Sequence, residues 1–197
     1  ETSLPVETSL PVETALPVET SQPTAAPTNT EAPASAASAT PTGACPAETA
    51  DLKLFTNAEY GYCFLYPAEY VPSPPYMVII NPNGSTGGDF LLGDAMIIIH
   101  MEAASGRTAA QAADEKIGEA GAGFEIMRAE ILVDGKPAIV VDGLPAQDSW
   151  RVVFIVGNDR LYTLFFQPWE PGAEWFPKLE TLYATVMDSF HVVPSMP

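Results

Sequence analysis

The stretch YGYCFLYP, residues 60–67, decides the fold that we predict for this chain. An aromatic residue stands at nearly every other position, which suits a strand in a pleated sheet. Gly61 and Pro67 bound the stretch, because both residue types break strand ladders. Cys63 lies in its middle and has one available partner, Cys45, since the chain has two cysteines. We therefore predict an early strand of an α+β domain, tied by a Cys45–Cys63 disulfide to the point where a long tail ends.

The predicted disulfide also bears on the cellular compartment. It closes a loop of about 18 residues, and in the chain-entropy model such a crosslink stabilises the folded state by on the order of 3 kcal/mol. No basic residue or histidine stands beside either cysteine to make a reactive thiolate, so a structural crosslink is favoured over a reactive pair. A disulfide beside a mucin-like tail favours an oxidising compartment, and we expect an extracellular or cell-surface protein.

Composition divides the chain of 197 residues into two parts. Residues 1–44 contain no aromatic residue, Lys or Arg, and residues 1–24 repeat a hexapeptide of the type Glu-Thr-Ser-Leu-Pro-Val. Such a segment cannot bury enough apolar surface to offset its ordering entropy, so we predict a disordered Pro/Thr-rich stalk in polyproline II conformation. An inert spacer, an O-glycosylated stalk and a ligand for a proline-reading module all fit this composition. Residues 45–197 are predicted to form a single domain.

The charge balance excludes several classes of partner. The net charge is −17, and five acidic residues and no basic ones lie in the stalk, so the domain carries −12. An acidic domain does not suit nucleic acid or electrostatic docking on anionic lipid. No apolar run is long enough to span a bilayer. The chain begins at Glu1 without Met, and we expect a removed signal segment upstream of Glu1, ending either in a lipid anchor or in release.

The pattern along the domain predicts strands, one helix, four more strands and a second helix. Thr108 and Gln111 have capping-box spacing at the start of the first helix, which Gly121 ends. Asp134-Gly135 is a strong hairpin signal, and a second hairpin is predicted around residues 157–159. We expect residues 67–75 to be a rigid proline-rich loop without a ladder. The predicted strands are residues 52–56, 60–67, 76–80, 94–101, 124–133, 136–141, 149–156 and 160–167.

The last helix, predicted to start near Trp175, shows which face packs on the sheet. Its apolar residues fall on one face at helical spacing, so the helix should lie on a sheet. The order of elements then favours an α+β sandwich, an antiparallel β-sheet with helices packed on it. The residues of the apolar face are Leu179, Leu182, Tyr183, Val186 and Phe190.

Four short motifs resemble the PsbP-like fold family, which includes a photosystem II extrinsic protein and bacterial lipoprotein relatives. They span about residues 52–193 and comprise residues 61–67 (GYCFLYP), 134–138 (DGKPA), 160–164 (RLYTL) and 188–190 (DSF). The resemblance implies a PsbP-like sandwich that serves as a non-enzymatic binding or assembly module. It implies no catalytic residue, metal or other cofactor, and it supports architecture better than function.

The titratable residues offer few catalytic candidates. His100 and His191 are the two histidines, with Ser105 and Ser189 near them in sequence. No nucleophile-elbow pattern surrounds either serine, so structural roles are favoured. Asn81, Asn83 and Asp89 could offer oxygen atoms to Ca²⁺, but their spacing does not match an EF-hand loop. The acidic pair at residues 114–115 is expected to form a solvated helix face.

Aromatic residues are the candidates for a ligand-binding face. Trp169 and Trp175 flank the loop of residues 170–174, which could hold both rings outward for a glycan or a peptide. Core or loop packing is favoured over this role for both tryptophans, and we expect Trp150 to be core because it starts a buried strand. The candidate ligand-facing residues are Trp169, Trp175, Asn83 and Asp89, and Tyr70 and Tyr76 are further aromatic candidates.

Three functional hypotheses follow. The first is a non-enzymatic extracytoplasmic accessory module, a monomer without cofactor, that is displayed on its stalk and binds an envelope protein or a glycan. The second is a carrier with a pocket for a small ligand or a glycan between sheet and helices. The third, which the sequence favours least, is a hydrolase that uses His100.

Overall fold

The structure is a computed structural model that describes residues 44–73, 79–81, 95–146, 149–174 and 176–195. The chain divides into two units, Glu1–Ser38 and Ala39–Pro197, and every described residue belongs to the second. The predicted stalk therefore lies outside the described residues, apart from Ala44.

The described residues form short strands and two helices in the predicted alternation. The strands are β1 (Leu52–Asn57), β2 (Tyr62–Pro67), β3 (Val71–Ser73), β4 (Ile79–Asn81), β5 (Met96–Ala103), β6 (Met127–Val133), β7 (Lys136–Asp142), β8 (Arg151–Gly157), β9 (Arg160–Gln167) and β10 (His191–Val192). The helices are α1 (Ala109–Ala120) and α2 (Phe176–Ser189). Neither helix is long and apolar enough to cross a membrane, which holds for the described part of the chain.

The strands form three antiparallel sheets. The largest has five strands in the order β5-β9-β8-β7-β6. A second sheet has the order β1-β2-β10, and β3 pairs with β4 in a third. The predicted antiparallel α+β architecture with helices packed on it is confirmed, although the strands are shared among separate sheets.

Two tight turns set the register of the five-stranded sheet. Asp134 and Gly135 have φ of 52° and 69°, and Asn158 and Asp159 have φ of 51° and 57°. Positive φ at both central residues is the signature of the type I′ turn, whose twist matches that of the flanking strands. Both predicted hairpins are therefore confirmed.

The five-stranded sheet separates two hydrophobic layers. Successive residues of a strand point to opposite faces, so Val153 and Ile155 of β8 face one layer while Val152 and Phe154 face the other. α2 and β2 cover the first face and α1 covers the second. The largest fully buried side chains all belong to the first layer: Tyr62, Tyr162, Phe64, Phe166, Phe190, Ile97, Ile99, Ile155, Leu164, Leu179 and Leu182.

The helix ends follow the sequence signals. Thr108 Oγ1 accepts the N–H of Gln111 at 3.2 Å, and Gln111 Oε1 accepts the N–H of Thr108 at 2.9 Å, which is the predicted capping box. Gly121, with φ of 76°, ends α1. On α2 the predicted apolar face is confirmed, because Leu179, Leu182, Val186 and Phe190 are buried, with Tyr183 packed beside them.

The predicted disulfide is present between Cys45 and Cys63, whose Cα atoms lie 5.9 Å apart. Cys63 is fully buried in β2, between β1 and β10. The crosslink thus fixes the first described residues to the central strand of the three-stranded sheet.

Two short strands depart from the prediction. Residues 71–73 were expected to be loop, but β3 pairs with β4 and places Pro72 opposite Ile80. Proline is tolerated there because this two-stranded sheet offers an outer edge where no N–H is needed. The sequence also gave no sign of β10, which pairs His191 with Cys63 and Val192 with Tyr62. Of the predicted strand 76–80, only residues 79 and 80 are described as strand.

Candidate functional site

Helix α1 leaves part of the five-stranded sheet uncovered. It has 12 residues and packs mainly on β7 and β8, so among the described residues part of the same face of β5 and β9 is left open on one side of it. The result is a groove of about 630 Å³, here called the β9 groove. Its floor is formed by Phe154, Leu161, Thr163 and Phe165, its wall by Glu115, Lys116 and Glu119 of α1, and its rim by His100, Glu102 and Arg107.

Three rings lie in a row on this face of the sheet, and we call them the aromatic row: His100 and Phe165, which line the groove, and Trp150, which immediately precedes β8. The ring centroids of His100 and Phe165 are 5.1 Å apart, and those of Phe165 and Trp150 are 5.2 Å apart, both in edge-to-face geometry. The row arises from register, because His100 lies opposite Thr163 and Phe165 lies opposite Val152. Diagonal neighbours across strands are within reach of aromatic side chains. His100 is exposed and the other two rings are half-buried.

The rim of the β9 groove carries a fixed network of charges. The guanidinium of Arg107 donates to Glu102 at 2.7 Å and to Glu115 at 3.2 Å, and its Nε donates to the carbonyl of Ala104 at 3.1 Å. The hydrogen bonds to Glu102 and then to Glu115 raise the pKa of Arg107. Lys116 pairs with Glu119 at 2.9 Å on the wall. Three carboxylates against two cations leave the groove mildly acidic.

The predicted acidic pair on α1 is a solvated face, as expected. Asp114 and Glu115 are both exposed. Asp114 accepts from Arg128 of β6 at 3.1 Å, while Glu115 accepts from Arg107. The two carboxylates therefore point to opposite sides of the helix, where each orders a cation.

A second groove of about 710 Å³ lies on the other side of α1, and we call it the β6 groove. It is lined mainly by apolar groups of α1, β6 and β7, among them Ala109, Leu132 and Ile139. Leu132 is 73% exposed. The two grooves have the same origin, since one short helix covers the middle of a face that is five strands wide.

Trp169 is packed against neighbouring side chains, which is the alternative that the sequence favoured over its candidate ligand-facing role. Its side chain is 8% exposed, because the guanidinium of Arg151 lies 3.8 Å from its ring centroid on one side and Phe176 and Tyr183 pack edge-on against it. Arg151 also donates to both carboxylate oxygens of Asp142, at 2.9 and 2.7 Å. A cation–π contact thus holds the ring of Trp169 within the domain.

Most of the remaining predicted site residues lie outside the part of the chain that the structure describes. Trp175, Asn83, Asp89 and Tyr76 lie outside the described residues, as does the side chain of Asn81, so the ligand-facing roles and the calcium site stay predictions. Tyr70, a further aromatic candidate, is 4% exposed and belongs to the core. Among the residues described, no three His, Cys, Asp or Glu side chains are placed to hold a metal ion.

The two histidines have different surroundings. Nδ1 of His191 lies 2.7 Å from Oδ1 of Asp134, a contact that no sequence signal indicated. Ser189, the serine nearest to it in sequence, is buried and donates to backbone carbonyls of α2, while its Oγ accepts the N–H of Leu65 at 2.9 Å. His100 belongs to the aromatic row instead. Ser189 thus serves the packing of α2 on β2.

Comparison with known proteins identifies a similar fold. No protein-family model matches the chain, and no curated protein matches it. Among solved structures, the chain is similar to cyanobacterial PsbP (CyanoP) from Synechocystis, with 17% identity, a TM-score of 0.46, and coverage of 78% of this chain and 99% of that one. It is also similar to a Pseudomonas aeruginosa protein of unknown function, with 19% identity, a TM-score of 0.38, and coverage of 68% and 91%.

The first of these structures bears the name of the family that the sequence motifs resemble. At such low identity the likeness concerns the fold alone. The function is therefore argued below from the residues of this chain.

Proposed function

We propose that the chain is a non-catalytic accessory module that acts outside the cytoplasm and binds a partner protein through the β9 groove. The observation that carries the proposal is the aromatic row on an uncovered strip of the five-stranded sheet. Sheet faces of this kind are usually covered by helices or by a second sheet. An open strip with aromatic rings is the kind of surface that binds a partner.

The groove is also well ordered for binding. Its floor residues alternate along β8 and β9 with fully buried residues such as Val153 and Leu164, so the platform is held from behind by the core. The charges of the rim are held in turn by the Arg107 network. A preorganised surface loses little conformational entropy when a ligand binds, which favours affinity.

The chemistry of the groove suggests the kind of segment that it accepts. Aromatic-lined grooves bind extended, proline-containing segments, whose rings pack flat against the aromatic faces. The carboxylates of Glu102, Glu115 and Glu119 favour a basic side chain beside that segment. We therefore propose an extended segment of an envelope protein with proline and a Lys or Arg.

The extracytoplasmic location has its own support. The Cys45–Cys63 disulfide closes a loop at the start of the domain, and cytosolic thiols are kept reduced. The predicted stalk would hold the domain away from its point of attachment. The disulfide state in the producing cells tests this proposal: the thiols should resist alkylation until a reductant is added, and free thiols in fresh extracts would contradict it.

Site-specific crosslinking tests the partner proposal. A photo-crosslinking amino acid at His100 should give one discrete adduct in cells that make the full chain. The same group at Thr181, which is exposed on α2, should give none. A Thr163→Arg substitution, which fills the floor of the groove, should abolish the adduct at position 100, while Thr181→Arg should not. Equal adducts from both positions, or none from either, would overturn the proposal.

A glycan is the second candidate, and the aromatic row favours it as well. Sugar rings pack on aromatic faces, and the Thr163 hydroxyl and the Glu115 carboxylate offer hydrogen-bond partners beside the row. Titration with an oligosaccharide panel, followed by NMR shifts at His100 and Thr163, tests this alternative. Saturable shifts together with no protein adduct would replace the first candidate by the second.

A further inference from the structure

Strand β6 is an edge of the five-stranded sheet. It pairs with β7 on one side, and within the described ranges no strand pairs with its other side. Two large apolar side chains of β6 are open to solvent, since Leu132 is 73% and Met127 is 65% exposed. An open edge strand offers unpaired N–H and C=O groups to another strand, and exposed apolar residues strengthen that pairing.

The charges of β6 indicate which strand it would accept. Arg128 and Glu130 are both exposed and lie on the same face, one on each side of Ala129. When two copies of such a strand meet antiparallel with Ala129 opposite Ala129, each Arg128 lies opposite Glu130 of the second copy. Opposite charges in directly opposed positions stabilise a strand pair.

We propose that β6 pairs antiparallel with β6 of a second copy of the chain, about a twofold axis through Ala129. This inference goes beyond the proposed function, and it replaces the monomer expected from sequence by a dimer. Met127 then lies opposite Ile131, and Leu132 lies opposite Ile126, which immediately precedes β6. Each apolar side chain at the edge meets an apolar side chain, and each charge meets its opposite.

Other registers lack this complementarity. If the twofold axis passes through Glu130, the two Glu130 carboxylates face each other. If it passes through Arg128, the two guanidinium groups face each other. Like charges in directly opposed positions destabilise a strand pair in both cases. A shift of the pairing register by one residue turns the second sheet over, so that its two faces exchange places. The shift also places Arg128 opposite Ile131. The register through Ala129 therefore satisfies both faces of the strand.

In the proposed dimer, the two five-stranded sheets form one continuous sheet. A twofold axis perpendicular to the sheet keeps both α1 helices on the same face, so the two β6 grooves adjoin at the interface. The β9 grooves lie on the far side of each α1 and stay open. In the single chain Arg128 forms exposed ion pairs with Asp114 and Glu130. In the dimer its guanidinium pairs with the carboxylate of Glu130 of the second copy instead.

Charge exchange tests the pairing in solution. Sedimentation velocity of the full chain should show a dimer at high micromolar concentration. The buffer should contain about 0.15 M salt, which screens exposed charges more than roughly 8 Å apart and leaves the closer charge pairs effective. Arg128→Glu and Glu130→Arg should each raise the dissociation constant at least tenfold. An equimolar mixture of the two variants should restore a dimer, because positions 128 and 130 of one variant then carry charges opposite to those of the other. Glu180→Arg on α2 is the control and should leave dimerisation unchanged.

A crosslink at the axis tests the register. Directly opposite residues of antiparallel strands have Cα atoms roughly 4.5–5.5 Å apart, which suits a disulfide. Both native cysteines are paired, so Ala129→Cys adds the sole free thiol and should oxidise to a covalent dimer. Thr181→Cys is the matched control. A monomer at all concentrations, a mixture that stays monomeric, or equal crosslinking by the two variants would overturn the proposal.

Discussion

His191 of β10 and Asp134 of the β6–β7 turn are joined by a hydrogen bond of 2.7 Å between Nδ1 and Oδ1. A carboxylate only accepts, so Nδ1 carries the proton. The second oxygen of Asp134 accepts the N–H of Val192 at 3.2 Å and pairs with Lys136. The side chain of Asp134 is 4% exposed. One buried carboxylate therefore ties the five-stranded sheet to the last strand of the three-stranded sheet.

We expect Asp134→Asn to destabilise the domain by about 1–3 kcal/mol, since a neutral amide has one acceptor oxygen in place of two and no charge to pair with Lys136. Asparagine tolerates positive φ, so the turn itself should survive. The measurement is the free energy of unfolding in urea. Asp159→Asn is the matched control, because Asp159 has φ of 57° in the other hairpin but is exposed. Equal effects of the two substitutions would show that the contacts of Asp134 contribute nothing.

The same carboxylate should make stability depend on pH. Burial raises the pKa of Asp134, but the hydrogen bonds from Lys136, His191 and the Val192 N–H outweigh it, and the pKa is lowered from 3.8. The folded state favours the ionised carboxylate, so its contribution to the free energy of unfolding is complete above the pKa of the unfolded state. The contribution is lost as the pH falls through the lower pKa of the folded state. The stability difference between wild type and Asp134→Asn should shrink from about pH 5 to about pH 3. A constant difference over this range would contradict the pKa shift.

Gly61→Ala should destabilise the domain far more than an ordinary turn glycine does. Gly61 has φ of 71°, and an added Cβ would lie 2.5 Å from the carbonyl oxygen of Val193. Gly106 has φ of 79° and no atom within 4 Å of its Cβ position. Gly106→Ala should lower the free energy of unfolding by about 1–2 kcal/mol, because alanine is strained in the left-handed region. Gly61→Ala should lower it by about 3 kcal/mol or more, because the clash adds to this strain. Chemical denaturation gives the free energy of unfolding of both variants. Similar losses of stability would show that the backbone near Gly61 moves to accommodate the added Cβ.

Removal of the disulfide by Cys45→Ala with Cys63→Ala should cost about 3 kcal/mol, since the crosslink closes a loop with a sequence separation of 18. For a domain of this size the melting temperature should fall by about 6–12 °C. A reductant should lower the melting temperature of the wild type to that of the variant and leave the variant unchanged. A variant that melts with the oxidised wild type would show that the crosslink adds no stability.

The local elements of this protein were determined by neighbouring residues, and the sequence predicted them. The Asp134-Gly135 turn and the capping box of Thr108 and Gln111 depend on backbone geometry within a few residues. The apolar face of α2 depends on helical periodicity alone. The Cys45–Cys63 pair followed from a cysteine count of two. In each of these cases the interacting partners lie close in sequence or are unique in it.

Tertiary structure decided which distant residues meet. Asp134 and His191 are 57 positions apart, and the aromatic row joins residues of β5 and β9 with Trp150, which immediately precedes β8. The sequence left Trp169 both an outward and a packed alternative, and the tertiary structure buries it because Arg151 lies over its ring. Periodicity shows which face of an element is apolar but not which element covers it. The candidate site therefore exists only in the folded chain, where one short helix leaves part of a wide sheet open.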